Sequence, residues 1–428
     1  MGRRGVSPGS TAHRTVEAVW RIESARIIAA LARLVRDVGL AEELAQDALV
    51  AALEQWPRDG VPDNPGAWLM AVGKRRAVDL IRRHETYERK LAELGHRQEV
   101  VADPDADFDA VLTDRIEDDL LRLVFVACHP VLSTEARVAL TLRLLGGLTT
   151  DEIARAFLVA EPTVAQRIVR AKRNLAEADV PFEVPEGPDR VDRLASVLEV
   201  IYLVFNEGYS ATAGDDWVRP GLCDDALRLG RILAELMPDE PEVHGLVALM
   251  EIQASRLRAR IGPDGEPVLL LDQDRRRWDR LLIRRGLAAL GRVALGPAPV
   301  GRADGPYVLQ ARIAACHALA ATPEETDWRR IASLYDTLAT VAPSPVVELN
   351  RAVAVSMAYG PEAGLRLVDA LLAEPALRGY HLLPSVRGDL LAKLGRAAEA
   401  RIEFVKAATL TRNERERTLL LDRADGLA

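Results

Sequence analysis

Between Leu140 and Leu175 the chain is punctuated so closely that few folds accommodate it. Leu140 to Leu145 is an apolar helical stretch that Gly146-Gly147 ends, and Thr149-Thr150-Asp151-Glu152 then offers hydroxyl caps and early acids for a new helix. That helix is expected from Thr150 to Leu158. A connector, Val159-Ala160-Glu161, leads to Pro162, whose fixed φ suits a first helical turn. The helix it opens carries Val164, Ile168 and Leu175 at core spacing and Arg167, Arg170, Lys172 and Arg173 on its other faces. No acid occurs from Pro162 to Leu175. Two short helices joined by a tight turn, the second of them basic, make a helix-turn-helix.

The rest of the chain also reads as helix. Its 49% hydrophobic residues are mainly Ala, Leu and Val interspersed with Arg and Glu, and only 4% of residues are aromatic, a balance that favours helix over pleated sheet. With 428 residues there is apolar material for two or three domains, and the expected fold class is all-α. Two interruptions divide it. An acidic run centred on Asp103-Pro104-Asp105-Ala106-Asp107 has linker composition, because like charges repel and Pro breaks helix. The segment Pro181 to Pro188 (PFEVPEGP) stops any helix reaching it. The expected parts are 14–98, an acidic linker at 99–111, 112–180, a second linker at 181–188, and 189–428.

The formal net charge of -8 argues against a nucleic-acid partner only on average. From Glu99 to Asp119 there are nine acids and one arginine; the rest of residues 1–185 holds 24 basic against 20 acidic groups, net +4. In the first part, Ile27-Ile28, Leu31, Leu34-Val35 and Val38 recur at helical spacing, and Gly39 is read as the stop. A second amphipathic helix is expected from Ala41 to Trp56. The segment Pro57 to Pro65 (PRDGVPDNP) has three prolines and one glycine and reads as a loop; Gly66 to about Arg83 resumes helix. Between Gly66 and Lys90 seven Lys or Arg face three acids. Trp56 and Trp68 flank the loop, as core anchors in one reading and base-stacking platforms in the other.

The third part is a succession of amphipathic helices separated by Pro and Gly. Gly360, Ala363, Arg366 and Leu367 reappear thirty-five residues later as Gly395, Ala398, Arg401 and Ile402, a period suggesting tetratricopeptide-like hairpins. No apolar run is long enough to cross a bilayer. Three dispersed cysteines, Cys128, Cys223 and Cys316, give no disulfide framework or zinc spacing, so a reducing cytoplasm is the expected compartment. The pairs Cys128-His129 and Cys316-His317 read as core or interface residues, and no metal or cofactor is expected. No phosphate-binding Gly loop, H-E-x-x-H or G-x-S-x-G occurs, so no enzyme activity is expected.

The run Ala41-Glu42-Glu43-Leu44-Ala45-Gln46-Asp47-Ala48-Leu49 resembles the core-polymerase-binding helix of the extracytoplasmic-function (group 4) sigma factors. NPGAWLMAVGKRRAVDLIRR (Asn64 to Arg83) is similar to their promoter-melting and -10 segment, and Leu140 to Leu175 to their -35-reading domain. The segments Ile201 to Tyr209, Leu271 to Trp278 and Asp304 to Tyr307 resemble the subgroup with a fused tetratricopeptide-like extension. The resemblance implies a non-catalytic protein with two partners: RNA polymerase core, met at the β′ clamp and β flap, and promoter DNA. It places Glu42, Glu43, Gln46 and Asp47 on the polymerase, and Asn64, Trp68, Lys74, Arg75, Arg76, Arg82 and Arg83 on the -10 element. Thr163, Gln166, Arg167, Arg170, Lys172 and Arg173 would lie on the -35 element. Two departures stand out: many members have Asn where Arg75 stands, and Gly where Leu158 stands. The extension is expected to regulate in cis, by docking or by binding a regulatory protein or ligand. The alternatives are a ligand-responsive helix-turn-helix regulator acting on operators by itself, and a helical-repeat scaffold with incidental basic helices.

Overall fold

The computed structural model describes residues 8–94, 116–263, 265–295 and 304–427. Among them are eighteen α-helices, four short 3-10 turns and one two-residue strand pair, so the fold is all-α. The chain divides into two compact units, one up to Val200 and one from Ile201. The acidic linker expected at 99–111 lies outside the described residues, as do 95–98 and 112–115.

The first unit contains α1 (Pro8–Val35), α2 (Val38–Asp59), α3 (Pro65–Leu94), α4 (Ile116–Ala127), α5 (Thr134–Leu144), α6 (Thr150–Phe157), α7 (Glu161–Glu177) and the first half of α8 (Gly187–Tyr209). Helix α1 is central: α2, α3 and α4 all pack on it, over Ile27, Ile28 and Leu31 at its buried face. Two helix limits differ from the sequence expectation. The turn after α1 is made by Arg36, at φ 53, and by Asp37, whose carboxylate accepts from Leu40 N at 2.8 Å. An aspartate cap therefore starts α2 ahead of Gly39, which sits inside its first turn instead of stopping α1. Pro57 is tolerated in the last turn of α2; the helix ends at Gly60, at φ 89, whose N–H donates to Trp56 O at 3.1 Å. The loop thereby shortens to 60–64.

Helix α5 starts at Thr134, capped by Ser133, well before the apolar stretch read from sequence. Helix α6 carries a full capping box: Thr149 Oγ1 accepts from Glu152 N at 3.2 Å, and Glu152 Oε2 accepts from Thr149 N at 2.8 Å. Between α7 and α8 the Pro-rich segment ends at Gly187, but α8 does not leave the first unit at once. Arg193 donates to Phe125 O at 3.2 Å with its guanidinium over the Phe125 ring, and Ser196 donates to Cys128 O at 2.7 Å. Half of α8 is thus part of the packing of α4.

The second unit contains α9 (Pro220–Leu236), α10 (Pro241–Ala254), α11 (Arg280–Leu295), α12 (Pro306–Leu319), α13 (Trp328–Val341), α14 (Pro345–Tyr359), α15 (Pro361–Ala370), α16 (Leu382–Lys393), α17 (Ala397–Leu410) and α18 (Glu414–Asp425). Proline in the first turn opens α9, α10, α12, α14 and α15, where its missing N–H has no intrahelical partner to lose. Gly360 and Gly395, the pair found by internal match, each stand before the second helix of a hairpin, at φ 100 and 75. Both hairpins share a core of Leu349, Ala352, Val368, Leu390, Ala400 and Phe404. A parallel pair, β1 (Ala213–Gly214) with β2 (Arg412–Asn413), ties the end of the unit to its start. No helix among the described residues is long and apolar enough to cross a membrane.

Candidate nucleic-acid interface

Helix α7 buries Val164, Ile168, Ala171 and Leu175, which fixes the rotation of its outer face. Thr163, Gln166, Arg170 and Arg173 are exposed there, and Arg167 is half-buried. Ala160, the residue before α7, supplies no side-chain cap, so the first turn presents N–H groups that suit a phosphate oxygen. The turn holding α6 against α7 passes through Leu158 at φ 50, ψ 44, a residue that is 54% exposed. This is the left-handed conformation that glycine adopts without a Cβ penalty.

The second basic face is on α3. Asn64 caps that helix, its Oδ1 accepting from Ala67 N at 3.1 Å, so its side chain has a structural task that the sequence pattern did not announce. Trp68 is half-buried and meets the buried Trp56 edge-to-face at 5.5 Å between ring centroids. Arg75, Arg82 and Arg83 are exposed; Lys74 and Arg76 are half-buried. Arg76 pairs with Asp47 of α2 at 2.6 Å, joining residues expected on different partners.

On α2 the four acidic and amide residues separate. Glu43 and Asp47 are exposed, whereas Glu42 is buried at 2% exposure and Gln46 donates its amide to the Glu42 carboxylate. Glu42 lies between two cations from the other half of the unit: Arg143 Nε at 2.6 Å and Lys172 Nζ. Burial pushes the Glu42 carboxyl up, but the charges and hydrogen bonds of Lys172 and Arg143 outweigh it and hold the group below the ordinary glutamate range. The Glu42 carboxylate is thus committed inside the protein, and Lys172, expected on the outside of α7, is turned inward to meet it. A second pair, Arg21 with Glu152 at 2.8 Å, joins α1 to α6. Arg143 was not among the residues expected from sequence; the signal was a lone cation within the apolar run Leu140 to Leu145, which needs a partner when buried.

Among the described residues no group of His, Cys, Asp or Glu is placed to hold a metal ion. Burial pushes the Cys128 thiol to about 11. Burial, with the charges of Arg256 and Arg275, pushes the His317 imidazole to about 3.

Residues 21–86 match the family Sigma-70 region 2, residues 122–175 match Sigma-70, region 4, and residues 193–294 match a family of unknown function, DUF6596. The chain is 47% identical over 404 residues to an uncharacterized protein of Rhizobium meliloti (strain 1021), covering 93% of this chain and 92% of that one. It is 30% identical over 154 residues to the ECF RNA polymerase sigma factor SigK of Mycobacterium ulcerans (strain Agy99), covering 35% of this chain and 78% of that one. It is also 30% identical over 183 residues to the probable ECF RNA polymerase sigma factor SigI of Mycobacterium tuberculosis (strain ATCC 25618 / H37Rv), covering 42% and 60%. No solved structure matches. Region 2 and region 4 in order on one chain, with a DUF6596 segment after them, make this a member of the ECF RNA polymerase sigma factor family that carries a helical C-terminal extension.

Proposed function

We propose that the chain binds bacterial RNA polymerase core in the cytoplasm and directs it to promoters as a non-catalytic subunit. In this reading region 2 spans 14–98, the acidic linker 99–111, region 4 112–180, the second linker 181–188 and a tetratricopeptide-like extension 189–428. The observation that carries it is the exposed basic face of α7, set on a capped helix-turn-helix, in one chain with the acidic face of α2 and the basic face of α3. Thr163, Gln166, Arg167, Arg170 and Arg173 meet the -35 element, while region 4 rests on the β flap. Trp68, Lys74, Arg75, Arg76, Arg82 and Arg83 follow the -10 strand, beside the loop that holds an unstacked base. Asn64 acts there through the start of α3 that it caps. Glu43 and Asp47 dock on the β′ clamp; Glu42, Gln46 and Lys172 join the interfaces once region 2 and region 4 separate.

The extension regulates this activity in cis, a reading supported by the seat of the first half of α8 on Phe125 and Cys128 of region 4. That seat sets where the chain is to be cut in a test: after Val200, because an earlier cut strips Arg193 and Ser196 from region 4. Full-length and shortened chains are added to sigma-free core, and run-off transcripts from genomic fragments of the source bacterium are mapped. Discrete start sites support the sigma reading, and a difference in yield between the two chains supports regulation. Equal yields under every condition remove the regulatory part. Silence from both, with tight binding to duplex fragments, moves the reading to an operator-binding regulator.

A further inference from the structure

Buried Arg256 and half-buried Arg260 are neighbouring cations of the second unit, and neither has a carboxylate partner among the described residues. Arg256 follows the end of α10, and Arg260 lies four residues on, its backbone N–H donating to Arg256 O at 3.1 Å. The Arg260 guanidinium lies 3.9 Å from the Tyr209 ring centroid and 5.2 Å from that of Trp217. The Arg256 guanidinium is 5.8 Å from Tyr209 and 5.9 Å from Trp278. Both charges thus converge on one aromatic ring. Arg256 is only 8% exposed, and its Nε, the Nε of Arg260 and the indole N–H groups of Trp217 and Trp278 are all buried without a hydrogen-bond partner.

Arg275 also lacks a carboxylate and has an unpartnered Nε, but it differs from these two in its terminal nitrogens. Arg275, 6% exposed, donates to His317 O at 2.9 Å, Ala320 O at 2.6 Å and Thr326 Oγ1 at 3.1 Å. The buried acids Glu207 and Glu251 are taken by Arg219 at 2.5 Å and Arg231 at 2.8 Å. A guanidinium stays charged, so leaving a buried one and a half-buried one side by side without an anion is costly. Burial, with the neighbouring charge of Arg256, holds the Arg260 guanidinium below its usual pKa despite the opposing effect of Tyr209.

We infer that Arg256 and Arg260 form a binding site for a small oxyanion, a phosphate or carboxylate group, walled by Tyr209, Trp217 and Trp278. Guanidinium forks match the spacing of oxyanion oxygens, and the indole N–H groups add neutral donors to the same acceptor. The buried Trp278 ring lowers the local dielectric and strengthens each charge-assisted bond. Cation–π contact holds the two guanidiniums in place before the anion arrives. The site lies wholly within the second unit and stands whether or not the chain acts on transcription.

The test is titration of the full-length chain with inorganic phosphate and, separately, succinate, at constant ionic strength made up with chloride. Tryptophan fluorescence is the readout, since Trp217 and Trp278 flank the two guanidiniums. The expected result is a saturable change with one or both anions and none with chloride, its midpoint raised at least about tenfold in Arg256→Gln and in Arg260→Gln. Saturation by phosphate alone assigns a phosphate group, and by succinate alone a carboxylate. No saturable change, or an unchanged midpoint in the variants, overturns the site. A measurement on the unaltered chain applies even where a variant fails to fold: phenylglyoxal modification, mapped by peptide mass spectrometry. The saturating anion must slow it at Arg256 and Arg260 and leave the exposed Arg284 unaffected; equal rates with and without anion overturn the site as well.

Discussion

Replacing Glu42 by Gln tests how region 2 and region 4 are held together in the first unit. The side chain is 3% exposed, and its partners Arg143 and Lys172 are 21% and 20% exposed, so the substitution leaves two largely buried cations without their anion. Removing one partner of a buried pair costs about 3–5 kcal/mol, and the partial exposure of the cations places this case at the lower end, about 3 kcal/mol. Because the Glu42 pKa is lowered on folding, its contribution is fully present above the unfolded glutamate value of about 4.5 and is lost as pH falls through the lower folded value. Urea unfolding of the full-length chain at pH 7 reads the loss as a lower midpoint for the first unit. Energy transfer between dyes at Val50 on α2 and Val169 on α7, both exposed, reads separation of the two helices. The variant is expected to show less transfer at pH 7 and to lack the acid-dependent decrease of the unaltered chain. Unchanged stability, within about 0.5 kcal/mol, together with unchanged transfer would mean that Glu42 does not hold the two regions together.

Other outcomes follow from the same geometry. Leu158→Gly relieves a left-handed leucine and is expected to stabilise the first unit by about 1 kcal/mol, measured by urea unfolding; a loss of stability would mean that the exposed leucine packs against its neighbours by more than its backbone strain costs. Thr149→Ala removes half of the capping box of α6 and is expected to cost about 1 kcal/mol in the same assay. Arg170→Ala or Arg173→Ala is expected to weaken binding of the polymerase-bound chain to promoter duplex, and each phosphate that is no longer neutralised makes the negative slope of log affinity against log salt shallower by about 0.9. An unchanged slope would make that arginine a base reader or a bystander.

What the sequence revealed was local chemistry. The helix-turn-helix was legible because its caps, its paired glycines and Pro162 each act within a few residues, and the thirty-five-residue match located two equivalent hairpin turns at Gly360 and Gly395. Gly39 misled because glycine is an optional helix stop, and Asp37, two residues earlier, offered a stronger start. The clasp on Glu42 was not legible: Arg143 stands 101 positions away, and spacing carries no information about pairs that only tertiary packing joins. The same holds for Arg256 and Arg260. Their aromatic walls come from the end of α8, the loop before α9 and the segment before α11, and no periodic pattern connects those positions.

The most direct measurement of the central claim is equilibrium binding of the labelled chain to sigma-free RNA polymerase core, with the exposed α2 acids reversed in a Glu43→Lys, Asp47→Lys variant. Saturable binding is expected, weakened at least about tenfold in this variant, while an Arg170→Ala, Arg173→Ala variant keeps core affinity and loses only promoter binding. Failure of the unaltered chain to bind core, with promoter duplex bound tightly in its absence, would contradict that claim.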